Sequence, residues 1–96
     1  MLSMSKFQGK IALITGSGTG IGKAIATKFV ENGASVVILG RRKEPLEEAA
    51  KGLEEIISQN NSGASVRIFA GVDVADESAM TEMFEVLKNE NINLDY

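Results

Sequence analysis

The sequence predicts an α/β fold built on a parallel sheet, in the order β-α-β-α-β-α. Three observations predict it. Short apolar runs rich in β-branched residues alternate with segments whose apolar residues recur every three or four positions. Glycine or a turn-forming cluster punctuates these segments. Four glycines also fall within seven residues at the first strand-to-helix handover, in "TGSGTGIG". Strands joined through helices pair in parallel, with right-handed crossovers.

The elements follow in order. "KIALIT" (10–15) is an Ile- and Leu-rich run stopped by Gly16, and reads as a buried strand. "GIGKAIATKFVENG" (20–33) repeats Ile21, Ile25 and Phe29 at four-residue spacing, which is one face of a helix. Asn32-Gly33 ends that helix, with glycine in its usual C-terminal position. "ASVVILG" (34–40) is apolar throughout, as expected of a strand covered on both faces. In "RRKEPLEEAAKGLEEIISQNNSG" (41–63), Pro45 suits the first turn of a helix, and Glu44, Glu47 and Glu48 suit its positive end. Leu46, Ala49, Ala50, Leu53 and Ile57 form its apolar stripe; Gly52 inside that stripe costs about 1 kcal/mol relative to alanine. "SVRIFAGVD" (65–73) is a third strand. Asp76 or Ser78 can cap a third helix with Met80, Met83, Phe84 and Leu87 inward, and the methionines read as core filler. "INLDY" at 92–96 resembles the start of a fourth strand. The chain shows no internal repeat, low-complexity tract or linker, and reads as one domain over residues 1–96.

Composition removes several classes of chemistry. The 96 residues contain no cysteine and no histidine. Disulfides, thiol catalysis, the usual zinc sites and an imidazole base are therefore excluded. A net charge of −3 supplies no basic stripe for nucleic acid. The start "MLSMSKFQGK" has no apolar stretch of signal-peptide length, and no run approaches a membrane span. The expectation is a cytoplasmic protein with no membrane partner.

The glycine cluster needs an explanation, because each glycine loses extra conformational freedom on folding. At a strand-to-helix junction the free N–H groups of the first helical turn favour an anion. Glycines there let a phosphate approach the main chain. The plainer alternative is a tight turn that is merely glycine-rich. The nucleoside-triphosphate loop G-x-x-x-x-G-K-[S/T] does not match. Aligned on Gly22-Lys23, it finds Ser17 where glycine belongs and Ala24 where the magnesium hydroxyl belongs. Lys23 then reads as a solvated helix residue. The common dinucleotide fingerprint G-x-G-x-x-G places its third glycine on Ile21 and fails as well.

The spacing T-G-x-x-x-G-x-G does match, at Thr15, Gly16, Gly20 and Gly22. It resembles the cofactor motif of the short-chain dehydrogenase/reductase family. "GKIALITG", "KAIATKFVENGASVVILGRR" and "VDVAD" are also similar to that family, and the resemblance extends from Phe7 to Tyr96. It implies a Rossmann-like doubly wound parallel sheet, incomplete here at about three strands and three helices. It also implies roles. Gly16, Gly20 and Gly22 would line the turn under a pyrophosphate, braced by Thr15. Ser17, Thr19 and the Ile21 backbone would face phosphate or ribose. Asp73 and Val74 would border adenine; read alone, Asp73 is a turn carboxylate at a strand end.

The end of the second strand bears on cofactor choice. NAD-binding members place an acid there to grip the ribose hydroxyls. Here it reads "ILGRR": Gly40 leaves room, while Arg41 and Arg42 offer guanidinium groups suited to a 2′-phosphate. The expected cofactor is NADP rather than NAD, with Arg41 ahead of Arg42; two solvated arginines in a surface turn are the alternative. Thr19 stands where many NADP-preferring members carry a basic residue.

Beyond the start of that fourth strand, family members continue into an Asn-Asn-Ala-Gly turn, a serine and a Tyr-x-x-x-Lys pair. None of these lies within the 96 residues, and Tyr96 has no lysine after it. The expectation is therefore the NADP-binding part of a reductase that moves hydride between NADPH and a carbonyl or enoyl substrate. The 96 residues would carry no catalytic group of their own, and the complete protein would be a homo-oligomer. The alternatives are a small non-catalytic dinucleotide-binding module and a scaffold for a full-length relative. The family strand order 3-2-1-4-5-6 puts the first strand inside the sheet with its outer edge open. It puts the first two helices on one face and the third on the other. An edge left open invites self-association.

Overall fold

The computed structural model describes residues 7–16 and 20–96. It forms β1 (Ile11–Thr15), α1 (Gly20–Glu31), β2 (Ser35–Gly40), α2 (Lys43–Asn60), β3 (Val66–Ala70) and α3 (Glu77–Asn89). The sheet order is β1-β2-β3, parallel throughout, with Ile11 opposite Ser35 and Val36 opposite Val66. Val36, Val37, Ile38 and Leu39 of the central strand are all buried, as a strand covered on both faces requires.

Side chains alternate across the sheet, which divides the core in two. Ala12, Ile14, Val36 and Ile38 meet Ala26 and Val30 of α1 and Leu46, Ala49, Ala50 and Leu53 of α2. Val37 and Leu39 meet Met83 and Leu87 of α3 on the opposite face. Two outward crossovers place α1 and α2 together and the returning one sends α3 across, as the strand order predicts. One helix covers the second face where two cover the first, so Met80, Phe69 and Val72 there remain only partly buried.

The face that α1 buries is not the one that carries Ile21 and Ile25. Gly22, Ala26 and Val30 are buried, while Ile21 is 80% and Ile25 46% exposed. Both triplets repeat at four residues, so spacing alone cannot choose between them. The small side chains win because they let the helix axis approach the sheet closely. Phe29 is half-buried at the side, where its ring packs 5.1 Å from that of Phe7 and 5.3 Å from that of Tyr96. On α3 the buried pair is Met83 and Leu87; Phe84 is 44% exposed rather than inward. Asp76, not Ser78, caps this helix, its carboxylate accepting from the Ala79 N–H at 3.1 Å.

Boundaries shift where backbone geometry intervenes. α1 ends at Glu31, and Gly33 follows at φ +95°. Asn61 closes α2 in the left-handed conformation, φ 58°, its N–H donating to the Ile57 carbonyl at 2.9 Å. β3 stops at Ala70 rather than residue 73 because Gly71 turns at φ +77°, although the Val72 N–H still donates to the Gly40 carbonyl at 3.1 Å.

The outer edge of β1 is not open along its whole length. Asp95 N–H donates to the Ile11 carbonyl at 2.8 Å, and Leu13 N–H donates to the Tyr96 carbonyl at 3.1 Å. Both sequences advance in the same direction, which is the pattern of a parallel pair. "INLDY" thus lies where a fourth strand begins, on the far side of β1 from β2. At the opposite edge, Arg67 of β3 donates to both carboxylate oxygens of Glu90, at 3.2 and 2.8 Å, and stacks over the Phe69 ring. This fork ties the end of α3 to the sheet. Among the described residues no helix is long and apolar enough to cross a membrane.

Candidate functional site

Because the three strands are parallel, their C-terminal ends share one rim of the sheet. That rim is where open parallel sheets take ligands. A groove of about 850 Å3 runs along it. β1 contributes Thr15 and Gly16, the end of β2 contributes Gly40, Arg41 and Arg42, and the turn after β3 contributes Asp73 and Val74. Leu39, Leu46 and Val72 supply apolar wall. Six expected site residues, far apart in sequence, are therefore brought together: Thr15, Gly16, Arg41, Arg42, Asp73 and Val74.

Gly16 turns out of β1 at φ 66°, a left-handed conformation that favours glycine. Gly20, Ile21 and Gly22 form the first turn of α1, whose N–H groups lack intrahelical acceptors. They stand beside the groove rather than in its wall; Gly20 lines a separate hollow on the outer side of α1. A Cβ on Gly20 would meet nothing within 4 Å among the described residues, so packing there makes no demand for glycine. Ser17 and Thr19 lie outside the described residues.

Asp73 closes a turn. Its Oδ1 accepts from the Ala75 N–H at 2.9 Å, and its backbone carbonyl accepts from the Asp76 N–H at 2.8 Å. Its Oδ2 lies 3.8 Å from Arg41 Nη1, across the groove. Both side chains are largely exposed, so this pair contributes at most about 1 kcal/mol. It nevertheless occupies the cation that sequence ranked first. Arg42 has no carboxylate within ion-pair reach among the described residues. It stands at the N-terminal boundary of α2 in extended conformation, φ −107° and ψ 130°.

Lys23, a solvated helix residue by its sequence, is exposed on α1. The structure puts it in a recess of about 200 Å3 shared with Arg42, Glu44, Pro45 and Glu48. The available signal was its position one turn into α1; the approach of α2 to that turn is a tertiary fact.

A parallel sheet with helices on both faces, a left-handed glycine after the first strand and a groove across the strand ends define one half of a doubly wound dinucleotide-binding fold. The chain belongs to the short chain dehydrogenase family, whose model matches residues 10–96. It is 42% identical over 80 residues to the NADP-dependent (R)-specific alcohol dehydrogenase of Lentilactobacillus kefiri, covering 83% of this chain and 29% of that one. It is 46% identical over 78 residues to a Caenorhabditis elegans protein named "Probable 2,4-dienoyl-CoA reductase 3", covering 81% and 23%. Among solved structures, the L-sorbose reductase of Gluconobacter frateurii, determined with NADPH and L-sorbose, superimposes with a TM-score of 0.79 at 36% identity. That match covers 98% of this chain and 33% of the reductase. The chain thus spans a quarter to a third of the length of these relatives.

Proposed function

We propose that the groove is the adenosine and 2′-phosphate half of an NADP site, and that residues 1–96 act as the amino-terminal part of an NAD(P)-binding oxidoreductase domain. One observation carries the cofactor choice. The end of β2 offers Gly40, Arg41 and Arg42 to the groove and no carboxylate of its own. A ribose with free 2′- and 3′-hydroxyls lacks its usual acidic acceptor there, whereas a 2′-phosphate meets two guanidinium groups. The NADP dependence of the Lentilactobacillus relative and the NADPH held by the sorbose reductase support this reading. Thr15 and Gly16 would shape the turn beneath the pyrophosphate, with Ser17, Thr19, Gly20, the Ile21 backbone and Gly22 alongside. Val74 would cover adenine, and Asp73 would accept from its exocyclic amine.

NADPH supplies hydride when bound. The residues of this chain would bind and orient its adenosine end. The whole protein would reduce a carbonyl or an enoyl thioester, as a cytoplasmic homo-oligomer. The dienoyl-CoA reductase relative favours the enoyl class and the sorbose and alcohol relatives the carbonyl class.

The test is a pair of dissociation constants for NADPH and NADH at fixed ionic strength, since the effect is screened by salt. The chain is expected to prefer NADPH. Arg41→Ala should weaken NADPH by about tenfold, the low end for a charged hydrogen bond because the site is exposed, and leave NADH within about threefold. A preference for NADH refutes the cofactor reading. Equal weakening of both cofactors makes Arg41 structural.

A further inference from the structure

Arg42 and Pro45 line both the groove and the recess, so the two hollows are neighbours that share these two residues. Lys23, an exposed residue of α1 that also borders the hollow on the outer side of that helix, lines the recess from an element separate in sequence from the β2 end. Neither Lys23 nor Arg42 has an ion-pair partner among the described residues. Arg41, by contrast, faces Asp73 at 3.8 Å. Arg42 and Lys23 are therefore the cations at this end without an ion-pair partner among the described residues, while the weak, exposed pair with Asp73 leaves Arg41 able to meet the phosphate as well.

We propose that Lys23 is a specificity-determining residue for NADP: together with Arg42 it forms the wall of the recess toward which the 2′-phosphate is drawn. The inference rests on the proposed NADP reading of the groove. A lysine acts on phosphate as a mobile point charge and needs no fixed fork geometry, so it suits a position one helix away from the ribose. The phosphate carries close to two negative charges, whereas the NADH ribose carries none in its place. Lys23 is thus felt by one cofactor and not by the other. Glu44 and Glu48 line the same recess and oppose it. Their presence makes the proposal sharper, because neutralising one of them must act in the opposite direction to neutralising Lys23.

The experiment measures NADPH and NADH dissociation constants for the 96-residue chain and for Lys23→Gln and Glu44→Gln, at two salt concentrations. Lys23→Gln is expected to weaken NADPH by about threefold to tenfold, as befits an exposed charge contact. NADH should change by less than about twofold, and the salt dependence of NADPH binding should become shallower. Glu44→Gln should strengthen NADPH by a few-fold and leave NADH alone. If the unmodified chain prefers NADPH but Lys23→Gln leaves that preference intact, the Lys23 proposal is overturned and the NADP reading stands. Equal weakening of both cofactors by Lys23→Gln also overturns it, since that is what a structural role would give. If the unmodified chain does not prefer NADPH, the NADP reading itself falls, and this proposal with it.

Discussion

Gly33 sits in the buried turn between α1 and β2 at φ +95°, a region that L side chains rarely adopt. A Cβ there would lie 2.9 Å from Gln8 Oε1 and 3.3 Å from both the nitrogen and the Cα of Gln8. The Gln8 segment cannot simply step aside. Gln8 Nε2 donates to the Ser62 carbonyl at 2.7 Å, and Phe7 N–H donates to the Asn32 carbonyl at 2.8 Å. Gly33→Ala therefore meets about 1–3 kcal/mol of backbone strain and the loss of one hydrogen bond, about 0.5–1.5 kcal/mol. Reduced freedom of the unfolded chain offsets about 0.4–1 kcal/mol. The net is a destabilisation near 2 kcal/mol, or roughly 10 °C in Tm for a domain of this size. Gly52→Ala is the matched control. It lies in the helical interior of α2, where an added Cβ meets nothing within 4 Å. It should stabilise by about 0.5–1 kcal/mol. Urea titrations compare the midpoints at unchanged slope. The reasoning fails if Gly33→Ala unfolds within about 0.5 kcal/mol of the parent, or if the two substitutions move the midpoint in the same direction.

Three further outcomes are expected. Hydrogen bonds from Arg67 hold the Glu90 carboxyl below the usual carboxylate range. The stability this contributes is present above the unfolded-state pKa and is lost as pH falls through the lower folded-state value. Glu90→Gln should therefore flatten the decline in stability from about pH 5 downward, and an unchanged pH profile would refute the coupling. Gly40→Asp should fold, because its Cβ approaches Leu46 no closer than 3.6 Å. Its carboxylate should shift the NADPH-to-NADH affinity ratio by about tenfold or more toward NADH; paired binding constants that keep the parent ratio would sink the account of the β2 end. Finally, the purified 96-residue chain should oxidise no NADPH above a buffer blank with a ketone or an enoyl thioester. Its one tyrosine, Tyr96, packs its ring against Phe7 and Phe29 and does not line the groove. Turnover that survives repurification would show that these residues catalyse on their own.

The alternation of strands and helices was legible in the sequence because it is local. β-Branched runs, a left-handed glycine after a strand and an aspartate before a helix each act over a few neighbouring residues. The parallel order and the sides taken by α1, α2 and α3 followed from crossover handedness. The T-G-x-x-x-G-x-G spacing, with Gly40-Arg41-Arg42 at the second strand end, marked the rim where the groove lies. What sequence could not decide was which of two equally periodic faces a helix buries. Ile21 and Ile25 lost to Gly22 and Ala26, and Phe84 lost to Met83, because distance to the sheet is settled by packing and not by spacing. Nor could it show that Asp73 reaches across to Arg41, that Lys23 comes beside Arg42, or that the Tyr96 carbonyl bonds to the β1 edge. Those contacts join residues from separate elements, and only the folding of the sheet brings them within reach.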